Sequence, residues 1–143
     1  MKLRSVNVGA REASTAKRVG VTGHHEVPVE SAALRSPGPE HGGLGSGLVG
    51  DFIGDVASHG GDEQAVHAFA REELDRWAGR LGRELPDGVF GENLTAEVGR
   101  TGAYLAIVTG GTLRPGDEIT VVAEAGPEVP QLPEVFRRLM GLA

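Results

Sequence analysis

Two short stretches hold residue types whose spacing could do chemistry: His59-Gly60-Gly61 and Val89-Phe90-Gly91-Glu92-Asn93-Leu94-Thr95. Two glycines after a histidine let the chain turn tightly and bring backbone N–H groups beside a titratable imidazole. That combination suits an anionic ligand; the plainer alternative is a simple turn. In the second stretch, Phe90 can anchor a loop in the core and Gly91 frees the backbone. Glu92 and Asn93 then present a carboxylate and a carboxamide with both donors and an acceptor. The alternative there is an Asn turn that caps itself. Arg4 lies on the opposite face of its strand from Leu3, Ser5 and Asn7. It is either a solvated strand residue or an anion contact at the rim of the same pocket. The partner these residues imply is a small anionic cofactor or substrate.

Other patterns are weaker. Asp51, Asp55 and His59 recur at spacings of four and, with His41, could surround a divalent metal in a hydrolase. Such a site needs three converging ligands and an open position; otherwise the two aspartates cap turns. His24 and His25 are adjacent, so in a strand they point to opposite faces and do not share a metal easily. Gly45-x-Gly47-x-x-Gly50 matches a dinucleotide fingerprint in letters. No apolar strand precedes it and no helical period follows, so the context is wrong. Its bare N–H groups could still form an anion-binding nest.

The elements that must position these residues are mostly strands. The chain has 143 residues, enough for one domain over 1–143, and its 23 glycines and 8 prolines suit a small barrel better than a helix bundle. Aromatics are 4%, so the core rests on Val, Leu, Ile and Ala. A net charge of −6 opposes non-specific nucleic-acid binding. There is no cysteine, which removes disulfides, thiolate nucleophiles and zinc–thiolate sites. No window approaches the ~20 apolar residues of a membrane span, and the start lacks an apolar leader, so a cytoplasmic protein with no membrane partner is expected.

Lys2 to Val8 alternates like a strand. Arg18 to Val29 is β-rich with bends at Gly20 and Gly23, and Val29 to Leu34 is a further short strand. Gln64 to Phe69 is ambiguous between strand and first helical turn. From Arg71, Leu74, Trp77, Ala78 and Leu81 recur at helical spacing, which places Trp77 in the core, and Gly82 is the stop. Ala103 to Thr109 is a strand, Pro115-Gly116 a type II turn in a hairpin, Ile119 to Ala123 its return, and Pro133 to Leu139 a C-terminal helix.

In their order and spacing, SVNVG, GLVGD, HGG…AV…F…E…W, GVFGENLT and GAYLAIVTGGTLRPGDEITVV resemble the MOSC family over most of the chain. The family is named for the C-terminal domain of molybdenum cofactor sulfurases. The match is to its small stand-alone bacterial members, some of which reduce N-hydroxylated bases using a molybdenum cofactor. The resemblance implies a mainly β, mixed-strand barrel with peripheral helices, with Gln64 to Phe69 as a strand and the helix starting near Arg71. It implies a cofactor pocket lined by His59, Gly60, Gly61 and Asn93, with Glu92 and Arg4 beside them. It also implies molybdenum cofactor, molybdenum ion and pyridoxal phosphate binding, and an oxidoreductase or sulfur-transfer activity.

One departure is large. In the family, further strands and a Pro-Arg-x-x-Pro-Cys type motif follow FGENLT; here Glu97-Val98-Gly99-Arg100 joins the flanking pieces directly. The expected sulfur acceptor or molybdenum ligand goes with that block, since neither Met1 nor Met140 supplies thiolate chemistry. A barrel short of strands has unpaired edges, which implies either a homodimer through them or marginal stability. Three functions stay open: a molybdenum-cofactor protein without its cysteine, a non-catalytic module that keeps the pocket, and a divalent-metal hydrolase.

Overall fold

The computed structural model describes residues 1–13, 20–35, 45–54, 59–97 and 102–122. In chain order the elements are β1 (Leu3–Gly9), β2 (Glu12–Ala13), β3 (Val21–Thr22), β4 (Glu26–Val29), β5 (Ala32–Arg35), β6 (Gly47–Leu48), β7 (Val66–Ala70), α1 (Arg71–Leu81), β8 (Leu94–Ala96), β9 (Ala103–Leu105) and β10 (Gly111–Leu113). A 3-10 turn at Asp62–Gln64 precedes β7.

The first sheet has the order β4-β1-β8-β7-β9. β1 runs antiparallel to both neighbours, with Val6 opposite Val29 on one side and Leu94 on the other. β7 is parallel to β8 and antiparallel to β9, so the sheet is mixed. A strand covered on both faces shows no clean alternation. Accordingly Ser5, Val6 and Asn7 are all buried in succession. Arg4 escapes where the pairing with β8 slips between Leu3 and Ser5, and it is exposed. Pro28 faces Asn7 from β4, an edge strand, where a missing ladder donor is tolerated.

The second sheet has the order β10-β5-β6, and β2 with β3 forms a separate hairpin. Leu3, Val6, Val66 and Leu94 from the first sheet meet Ala32 and Leu48 from the second, with Ile107 closing one core. Among the described residues the sheets do not close on themselves, so the mainly β, mixed-strand architecture is that of an incomplete barrel.

α1 follows β7 without a break. It has no β-branched residue, and Glu72 and Glu73 lie in its first turn. It stops where Gly82 adopts a left-handed φ of 63° and donates its N–H to the Ala78 carbonyl. Arg71 ties the helix to the chain beyond it, pairing with Asp75 and Asp87 and donating to the Leu85 carbonyl at 3.0 Å. Only Leu74 of the apolar stripe is buried. Trp77, expected in the core, is 41% exposed and lies under the Arg80 guanidinium at 5.4 Å. The helix stripe outruns the strand it packs on, so its far end meets solvent.

Other boundaries differ from the expected ones. The segment Gln64 to Phe69 is strand only from Val66, because the 3-10 turn takes Gln64. The strand from Ala103 stops at Leu105. The Pro115-Gly116 turn has the Asp117 N–H donating to the Arg114 carbonyl and φ 95° at Gly116, as type II requires. It does not head a hairpin: β10 pairs with β5, and the chain beyond the turn bonds the N-terminus, Ile119 N–H to the Met1 carbonyl at 2.9 Å. The Glu97–Arg100 junction, the Ser36–Gly43 excursion and the Pro133–Leu139 helix fall mainly or wholly outside the described residues. Among the described residues, no helix is long and apolar enough to cross a membrane.

Candidate functional site

Asn93 is where four distant segments meet. Its Oδ1 accepts the His67 N–H at 2.9 Å, which turns its Nδ2 toward two carboxyls. That Nδ2 donates to Asp51 Oδ2 at 2.9 Å and, at the long distance of 3.4 Å, to Glu26 Oε1. Asp51 Oδ1 in turn accepts the Gly9 N–H at 2.8 Å, and the Asn93 carbonyl accepts the Asn7 N–H at 2.7 Å. One carboxamide thus ties β4, β7 and the 51–54 loop together, and β1 joins through the Asn93 main-chain carbonyl and Asp51.

Beside this network lies a cavity of about 320 Å³. Glu26, Asp51, Asn93 and Gln64 line it with polar groups, and His24, His59 and His67 with imidazoles. Phe52, Ile53, Phe90 and Tyr104 supply apolar walls. The His67 and Tyr104 rings stack with centroids 5.0 Å apart, and Phe90 packs on Phe69 at 5.4 Å. Gly60 is favoured by its φ of 82°, and a Cβ there would push on the tip of Ile53, 2.7 Å away at Cδ1. At Gly91 a Cβ would meet the His24 ring nitrogen at 2.7 Å, so this glycine makes the space that the imidazole fills.

Glu26 is the anomalous group. Its Oε2 is buried without a partner among the described residues. Burial, then the nearby charges of Asp51 and Glu92, push its pKa from 4.5 up to about 9. Because the folded chain holds this proton more tightly than the unfolded chain, the stabilisation is complete below 4.5 and is lost as pH rises toward about 9. Glu26→Gln removes the titration. The variant is expected to melt higher than the native chain at mildly alkaline pH and alongside it in acid, as thermal melts across the range will show.

Of the residues anticipated from the sequence, His59, Gly60 and Asn93 line this one cavity. Gly61 turns with φ 84° just outside the lining. Glu92 does not face a ligand. It is fully buried and accepts the Gly88 N–H at 2.8 Å, the Phe90 N–H at 2.9 Å and the Thr95 hydroxyl at 3.2 Å. Three donors wrapped around one carboxylate make it the clamp of the 88–95 loop. Arg4 is not at the rim; it pairs with Asp87 at 3.3 Å. Phe90 is 40% exposed, so it walls the cavity where core burial was expected. In the glycine-rich stretch the Ser46 N–H donates to Asp62 and the Val49 N–H to the Ala33 carbonyl, so these two amides are not free to meet an anion.

Asp51 and His59 share the cavity, but His41 and Asp55, the other half of the conceived hydrolytic site, lie outside the described residues. Among the described residues no three His, Asp or Glu side chains converge as metal ligands. Sequence reading missed Glu26, His24, His67 and Tyr104. The available signal was the two-residue spacing of His24 and Glu26, which share a face when the chain is extended.

A family model described as the MOSC domain matches residues 55–99. No curated protein and no solved structure matches the chain. The MOSC family is associated with molybdenum-cofactor binding. The matched stretch supplies the His59–Gly61 turn, β7, α1 and the loop that carries Asn93.

Proposed function

We propose that the chain is a small-molecule-binding module of the MOSC type, which keeps the cavity and does no thiolate chemistry. The observation that carries this is the cavity itself: about 320 Å³, walled by aromatics, with Asn93, Asp51 and Glu26 converging at one end. Mostly apolar pockets with a few convergent polar groups, of roughly 300–1,000 Å³, are the usual form of ligand sites. The molybdenum cofactor fits these residues poorly. A soft thiolate is missing because the chain has no cysteine. No Lys or Arg is among the described lining residues to meet a pterin phosphate, and two carboxyls stand in the way. Arg11, over the Phe52 ring at 5.7 Å, is outside the lining.

The test is a ligand-detected NMR screen of small aromatic fragments of all three charge types. Hits are expected, and Tyr104→Ala, at a half-exposed wall residue, is expected to weaken them about tenfold with little change in melting temperature. A screen without hits, or hits indifferent to Tyr104, would overturn the reading. The family match favours a second reading, in which the cofactor sits against the His59–Gly61 turn. Under that reading molybdenum co-purifies one-to-one with the chain; under the first it does not.

A further inference from the structure

We propose that the Glu26 carboxyl is the recognition group of this cavity. It selects an uncharged ligand with an adjacent hydrogen-bond donor and acceptor, such as a carboxamide or lactam edge on a flat ring. The inference rests on the reading of the cavity as a small-molecule site and adds the chemical class of its ligand.

Three acidic side chains lie close together here, and they are not equivalent. Asp51 has an N–H on each oxygen, from Gly9 and from Asn93. Glu92 is wrapped by two backbone N–H groups and a hydroxyl. In both, donors meet the carboxylate oxygens. Among the described residues, Glu26 has one long contact, 3.4 Å to Asn93, and a second oxygen with no partner. A buried carboxylate beside two others, with no donors of its own, holds a proton. The raised pKa of Glu26 agrees with this assignment. His24, His59 and His67 also line the cavity, and His25, next in the chain, pairs outside with Glu12.

A protonated carboxyl offers one O–H donor and one carbonyl acceptor side by side. An amide or lactam edge is its complement. An amidinium brings donors only and a carboxylate acceptors only, so each leaves one Glu26 oxygen mismatched in a buried setting. Buried polar atoms are nearly always satisfied, and an orphan on a cavity-lining residue points to a partner that comes from the ligand. Phe52, Phe90 and Tyr104 provide walls for a flat ring.

Benzamide, benzamidine and benzoate test this, since they share a shape and differ in edge. Titrations of the full chain near neutral pH are expected to give benzamide an affinity at least about tenfold above either charged analogue. Native binding is expected to fade as pH passes about 9, the range in which Glu26 loses its proton. Glu26→Gln presents the same donor and acceptor without titrating, and should retain benzamide binding at all these pH values. Glu26→Ala should lose it. Tightest binding by benzamidine or benzoate overturns the inference, as does loss of benzamide by Glu26→Gln. If other fragments occupy the cavity and none of these three does, the inference fails while the binding reading stands. If no fragment of any kind binds, both fail.

Discussion

Glu92→Ala is expected to cost about 3–5 kcal/mol, enough to leave much of a small domain unfolded. The side chain is fully buried and its two oxygens satisfy the Gly88 and Phe90 N–H groups and the Thr95 hydroxyl. Truncation strands three donors at once, two of them buried, and each stranded buried group costs about 1–3 kcal/mol. The loop that fails carries Asn93 at its end, so the cavity goes with it. Glu92→Gln keeps the shape but replaces one acceptor oxygen by a donor that faces another donor. Its expected loss is smaller, about 1–3 kcal/mol. Urea unfolding of the two variants orders them. If Glu92→Ala were as stable as the native chain, the clamp would be wrong and Glu92 would return as a ligand contact.

Asn93→Asp has the second large effect, and it is purely electrostatic because the two side chains have the same shape. The His67 N–H fixes one side of the carboxamide as the acceptor, so the substituted oxygen replaces the amino group. It then stands 2.9 Å from Asp51 Oδ2 and 3.4 Å from Glu26 Oε1, where the native amino group donates to both. The hydrogen bond to Asp51 becomes a like-charge contact, while Glu26, which holds its proton at neutral pH, can donate its O–H to the new carboxylate; an expected ~2–4 kcal/mol of stability is lost at neutral pH. The new pair of carboxyls shares a proton in acid, so the deficit narrows as pH falls. Unfolding curves at neutral and acid pH measure both. A variant of unchanged stability at neutral pH would mean that the amino group does not face Asp51.

These two positions show what was legible in the residue order. The Phe90–Thr95 loop and the His59–Gly61 turn could be picked out because glycine beside a polar side chain is a local pattern. The helix from Arg71 was readable because a 3.6-residue period and a glycine stop are local too. The burial of Trp77 was not readable: periodicity shows which residues share a face but not whether another element covers all of it. Glu92 and Asn93, neighbours in the chain, looked alike as ligand groups. Their roles split because one points into its own loop and the other across to β4, β7 and Asp51.

By itself, the sequence determined the mainly β class, the turns, the helix from Arg71 and the lack of thiol chemistry. All of these depend on composition or on contacts within a few residues. Only the tertiary structure decided that Glu26 and Asp51 meet Asn93, that Arg4 answers Asp87 and no ligand, and that the sheets stay open. Those facts depend on pairs separated by dozens of positions. The energy of placing one charge near another is set by distance in space and by burial, and neither is written in the spacing along the chain.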